Sequence, residues 1–199
     1  MKKWMESTLI VALGISLASL AGCTTMILAM DPKVPTGVAE RVPYSIGLYL
    51  APEFERFHGN IKRGLDELDY DLGSASKALF LETFLRLARG AVVVDRKPPY
   101  RGSAEPAVAI VIEPQITGFD VDQPRVSWTP SYLAHIEYRA IVYNRAGVVL
   151  LDKIYRGDGE TRGTGNKDLA GDYATTAAIA MSVAVAAIVK DVSQLPVTP

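Results

Sequence analysis

The side chains able to do chemistry are few and scattered. Cys23 is the only cysteine of the 199-residue chain, which leaves no internal disulfide and no cysteine-built zinc site. Its thiolate is the one group here nucleophilic enough to take an alkyl group readily. His58 and His135 lie far apart, without an HxxxH or HxH pairing that would mark metal ligands. Glu67, Asp69 and Asp71 alternate with Leu68, Tyr70 and Leu72. Three carboxylates on one face would suit a cation or acid–base work. The same alternation is the ordinary mark of a half-buried strand with a solvated face, which is the preferred reading. The glycine-rich run over 157–167 lacks GxxxxGK[ST] and is not GxGxxG after a strand. It also fails as a calcium loop, because Arg162 falls where an oxygen ligand is wanted. It reads as a flexible connection. No serine sits in a GxSxG elbow. The expectation is a non-enzymatic protein with no metal and no cofactor.

The position of Cys23 gives it a different role. Lys2 and Lys3 open the chain, and Leu9 to Leu20 is apolar and small: the basic n-region and short h-region of a secretory leader. The leader ends in Leu20-Ala21-Gly22-Cys23, which resembles the lipobox of bacterial prolipoproteins. That resemblance covers the leader alone. It implies a diacylglyceryl group on the Cys23 sulfur, cleavage between Gly22 and Cys23, and acylation of the new amino group. Several acyl chains, at about 0.8 kcal/mol per buried methylene, anchor a protein far more firmly than one myristoyl chain. Thr24 follows, where Gram-negative lipoproteins held in the inner membrane favour Asp; by the same resemblance the periplasmic face of the outer membrane is expected. The alternative is an uncleaved membrane anchor, since Ser7 to Met30 carries no charge and is long enough to span a bilayer. Ser16, Ser19, Gly22, Thr24 and Thr25 within it weigh against a stable span.

The remainder has ordinary globular composition. The whole chain is 49% hydrophobic and 22% charged, with a formal net charge of −1. Acidic and basic residues interleave without a basic stripe, which argues against nucleic-acid binding. Expected are a lipidated amino terminus and Pro-rich tether over 23–43 (Pro32, Pro35, Gly37, Pro43) and one periplasmic domain over 44–195.

Within that domain, Ile46, Leu48 and Leu50 alternate in a first strand over Tyr44 to Leu50. Phe54, Phe57, Ile61, Leu65 and Leu68 have helical spacing, broken by Gly59 and Gly64. Ser74 or Ser76 can cap a helix whose apolar side is Ala78, Leu79, Leu81, Phe84, Leu85 and Ala88, stopped by Gly90. Val92 to Val94 is a β-branched strand closed by Pro98-Pro99. Residues 107–112 are apolar on both faces, as in a central strand, and Pro114 is expected to end it. The hairpin signal is strongest at Tyr132–Tyr143 and Val148–Arg156 around the turn-forming residues 144–147. There Ala134, Ile136, Tyr138, Ala140 and Val142 share one face, and His135, Glu137 and Arg139 the other. From about Asp168 to Val192, Tyr173, Ala177, Met181, Ala184 and Ile188 line a helix without charge between Tyr173 and Val189. Packing across a sheet is expected in preference to a second membrane span.

The order strand, helix, antiparallel strands, helix predicts an α+β domain, a mostly antiparallel sheet with two main helices on one face. In element order it is similar to small periplasmic accessory lipoproteins of the lipopolysaccharide-assembly, transport-auxiliary and TolB amino-terminal kinds. Phe119, Arg125, Trp128 and Tyr132 form a candidate partner-binding loop, or alternatively a segment that folds back over a sheet edge. The function expected is an accessory or scaffolding subunit with envelope partners or self-association; the alternative is a carrier of lipid or another apolar ligand between sheet and helices.

Overall fold

A computed structural model describes residues 25–36, 41–63, 66–101, 106–122, 131–162 and 169–197. The elements run β1 (Thr25–Leu28), β2 (Val42–Tyr49), α1 (Pro52–Glu55), β3 (His58–Arg63), β4 (Asp66–Asp71), α2 (Leu72–Leu87), β5 (Ala88–Val94), β6 (Ile110–Asp122), β7 (Ser131–Asn144), β8 (Val149–Arg162) and α3 (Leu169–Ser193). The class is α+β, as expected, but there are two sheets: β1-β4-β3 and β5-β2-β6-β7-β8. The long ladder β6–β7–β8 is antiparallel, whereas β2 joins β5 and β6 in parallel, as β1 joins β4.

The hairpin forms where the turn chemistry places it. Gly147 takes φ +85°, open to glycine without strain, and Asn144 Oδ1 accepts from the amides of Ala146 (3.0 Å) and Val148 (2.9 Å). Ala134, Ile136, Tyr138, Ala140 and Val142 are all buried, facing the helices. The opposite face carries polar pairs between β7 and β8: a hydrogen bond between His135 and Asp158 (2.6 Å), and ion pairs of Glu137 with Arg156 (3.1 Å) and Arg139 with Asp152 (2.6 Å).

Pro114 does not end its strand. It lies inside β6 opposite Ala140. Beyond Ile112, β2 no longer pairs with β6, so Pro114 sits where one side of the strand has no ladder to break. Helix α2 begins earlier than its serines suggested, with Asp71 as the cap accepting from the Ser74 amide at 3.1 Å. Ser76 is buried instead, its hydroxyl 2.6 Å from that of Tyr138. Phe80 and Leu87, outside the expected stripe, are fully buried, while Leu85 is 45% exposed. The helix stops at Leu87 and Gly90 lies in β5. The ambiguous stretch after Phe54 resolves into the single turn α1 and strand β3. Thr25–Leu28, which the sequence assigned to the tether, is a strand paired with β4.

The largest surprise is the glycine-rich run. Its first part, through Arg162, continues β8, and its two glycines lie directly beneath α3. A Cβ on Gly157 would stand 1.9 Å from the Ala180 carbonyl oxygen, and one on Gly159 2.1 Å from that of Thr176. Helix and strand therefore touch backbone to backbone. The contact is pinned at both ends: Lys153 Nζ (2.7 Å) and the Tyr155 hydroxyl (2.9 Å) donate to Asp191, and the hydroxyls of Thr161 and Thr176 share a hydrogen bond. From Thr176 to Asp191 the helix rises about 22 Å, and from Thr161 to Lys153 the strand covers about 26 Å, so α3 runs along β8. By length and composition α3 is apolar enough to cross a membrane, but it is packed on β7 and β8.

Gly157→Ala or Gly159→Ala is expected to cost about 1–3 kcal/mol or more, because neither helix nor strand backbone can give way locally. Gly90→Ala, whose Cβ would come no closer than 3.5 Å to Ser45 Oγ, should stay within about 0.5 kcal/mol. Urea unfolding of the three variants reads the difference.

Candidate functional site

Helix α3 carries no charge between Asp172 and Lys190, so the side turned from the sheet is apolar too. Ala174, Ala178, Ser182 and Ala186 recur every four residues along one flank, and their small size leaves room above the helix. The segment Ala29–Thr36 crosses there and walls a groove of about 640 Å³, within the range of small-molecule sites. Ile179 and Val183 lie in its floor, 37% and 47% exposed. Ser182 donates its hydroxyl back to the Ala178 carbonyl at 2.9 Å, which removes one polar group from the lining. Asp31 and Lys33, ion-paired and exposed, mark the rim. Such a lining can hold an apolar chain by contact.

The polar centre of the fold lies on the other face of the larger sheet. Glu113 is 4% exposed and accepts from Tyr143 Oη (2.8 Å), Gln115 Nε2 (3.1 Å) and Lys97 Nζ (3.2 Å). Burial first, and then the Glu113 carboxylate, push the Tyr143 phenol up to about 12. Beside them Val94, Tyr100, Val108 and Val111 form a second small core. The sequence reading missed Glu113. Its signal was a single charge at the end of the apolar run 107–112, next to a proline. Its carboxylate is fully engaged in binding its neighbours, which makes it a structural tie between β6, β7 and the turn after β5.

The other candidates serve the fold as well. Asp69 pairs with His58 Nδ1 at 2.8 Å and Asp71 caps α2, so the carboxylates of β4 do not converge on one point. His135 is held by Asp158. Of the loop residues singled out as a partner surface, Tyr132 is 1% exposed and stacks edge-on against Tyr173 at 4.6 Å. Phe119 packs against Tyr70 at 4.9 Å and is only partly exposed. Tyr132 is a core residue of β7, and Phe119 borders the core because β6 runs on past Pro114 into the segment read as loop. Arg125 and Trp128 lie outside the described residues, as do Gly22 and Cys23.

No family model matches the chain, and no curated protein does. Among solved structures, a Xanthomonas campestris protein assigned to the family DUF330 is similar over 85% of this chain and 92% of its own, with TM-score 0.49 and 10% identity. A minor lipoprotein from Acinetobacter baumannii is similar over 80% and 98%, with TM-score 0.40 and 11% identity. A hypothetical protein from Chlamydia trachomatis follows, with TM-score 0.36 and 8% identity over 76% and 94%.

Because the Tyr143 phenol is raised in the folded state, its contribution to stability is complete below pH 10 and is lost as pH rises towards about 12. Glu113→Gln removes the carboxylate charge and leaves the burial. The Tyr143 phenol should then titrate lower than in the parent chain, yet still above its ordinary 10.0. Ultraviolet titration of parent and variant, with Tyr143→Phe to identify the signal, measures it. On the acid side, Asp191 is held low chiefly by the hydrogen bond from Lys153, so its contribution fades as pH falls below 3.8.

Proposed function

We propose that the chain is a lipid-anchored bacterial envelope lipoprotein, exported, cut before Cys23 and held by acyl chains on that residue. It works there as a non-enzymatic accessory or scaffolding subunit of a larger envelope assembly. The observation that carries the reading is the lipobox-like Leu20-Ala21-Gly22-Cys23, which ends an n- and h-region leader at the only cysteine in the sequence. Thr24 leans the address towards the periplasmic face of the outer membrane. The non-enzymatic part is supported by the employment of the polar groups: Glu113, Asp69, Asp71, His58 and His135 each hold another part of the fold.

The groove on α3 supports a second reading, a carrier of an apolar ligand. The space between sheet and helices, where such a ligand was first expected, is filled by Phe80, Phe84, Tyr138 and Met181. A ligand would lie on the outer side of α3, beneath Ala29–Thr36.

Cys23→Ala is expected to accumulate as uncut precursor and to lose all palmitate incorporation in growing cells, read by mass and by radiolabel. A variant that is cut and labelled like the parent would sink the anchor. For the accessory role, the lipidated protein extracted in mild detergent should bring the same envelope protein with it in repeated preparations. Recovery of the chain alone each time would count against that role.

A further inference from the structure

In sequence, only Thr24 separates Cys23 from β1. At about 3.3–3.6 Å per extended residue, the Cα of Thr25 lies within about 7 Å of that of Cys23. A bilayer's headgroup layer is itself about 5–8 Å deep on each side. A lipidated Cys23 therefore delivers the start of β1 into that layer. The strand is part of the fold, paired from Thr25 with Glu67 to Leu28 with Tyr70, and Leu28 is buried. The domain must follow it to the surface.

The side chains of β1 suit that place. Ile27 is 73% exposed, more than any other large apolar side chain among the described residues, and Met26 is 42% exposed. They point to opposite faces of the strand, as neighbours in β structure do, so together they flank its outer edge. That edge has no strand partner among the described residues. Its free N–H and C=O groups find water and lipid oxygens among headgroups but would be unsatisfied in hydrocarbon, which limits the depth. Glu67 and Asp69 stand opposite Thr25 and Ile27 on the next strand. Their charge keeps the flat face of the small sheet from lying on lipid, and leaves the edge as the contact.

We infer that β1 is a membrane seat: its edge rests in the headgroup layer of the bilayer that holds Cys23, with Ile27 and Met26 entering the lipid. The seat rests on the lipid-anchor reading, and its partner is a phospholipid surface. The spacer between anchor and domain is then one residue, and the segment Ala29–Thr36 lies on the domain side of the seat along α3.

The test uses the full chain, matured in cells, extracted and diluted into vesicles of phosphatidylethanolamine and phosphatidylglycerol. A lipidated Cys23 has no thiol, so Ile27→Cys and Val149→Cys each supply a unique site for a nitroxide label. Val149 is a fair reference: it pairs with Tyr143, about 23 Å along β7 from the partner of Phe119. The seat predicts severalfold greater shielding from a water-soluble nickel chelate at residue 27 than at residue 149, together with higher oxygen collision. Equal chelate exposure at the two sites would overturn it. So would shielding from both chelate and oxygen at residue 27, which is the signature of a second protein copy. The parent chain, without an added cysteine, separates the two readings: a nitroxide signal from Cys23 with no palmitate means the anchor itself has failed.

Discussion

The architecture turns on one close approach, the laying of α3 along β8 at backbone distance. Two glycines make it possible, since a methyl group at Gly157 or Gly159 would collide with helix carbonyls. Proximity then dictates the helix composition. A helix this near a strand must present small side chains, and Thr176, Ala177, Ala180 and Ala184 are all fully buried there. Alanine also has the best intrinsic helix propensity, so the packing requirement and the local preference agree. Larger residues are displaced to the flanks, where Tyr173 meets Tyr132 and Met181, Val185 and Ile188 fill the space towards α2 and β7.

The second helix is fixed by opposite means. Helix α2 stands off the sheet on aromatic rings, with Phe80 in edge contact with Tyr138 (5.3 Å) and Phe54 (5.9 Å). Such pairs are worth about 0.5–1.5 kcal/mol beyond their buried area. Burying Tyr138 so deeply requires a partner for its hydroxyl, and Ser76 supplies it from α2. Burial also drives that phenol well above its usual range, the hydrogen bond only partly opposing it. One helix thus fits by subtraction of side chains and the other by bulk, and the sheet beneath them changes character from Gly157 and Gly159 on β8 to Tyr138 on β7.

These facts explain which parts of the fold were legible in the sequence. The hairpin was, because Asn144 and Gly147 name their turn and the alternation on β7 states its own inward face. Helix α3 was, because its uncharged stretch has helical period throughout. The glycines of β8 were not: the same residue marks a flexible linker and a tight backbone contact, and only the partner helix tells them apart. Pro114 misled for a similar reason, since its cost in a strand depends on whether a neighbour needs its missing N–H. Phe119 resembled part of an exposed aromatic patch because β6 was expected to end at Pro114, and Tyr132 because its partner Tyr173 lies on a helix distant in sequence. Of the candidate site, the apolar outer side of α3 was visible as an absence of charge. The groove was not, since its other wall is Ala29–Thr36, a segment that sequence alone treats as a spacer.

The exposed edges of the two sheets follow different rules, and the difference bears on function. Strand β8 is long and at an edge, the kind of surface that invites unwanted pairing. Helix α3 lies over one face, and on the other Arg156, Asp158 and Asp152, all committed to β7, surround the exposed Ile154. Strand β1 has no such guard among the described residues. It is short, its edge is bare, and its most exposed side chain is an isoleucine. A soluble domain left free in water gains nothing from that arrangement. On the proposed lipid anchor it does, because a bilayer held at the residue two places before β1 would supply the cover that the fold omits.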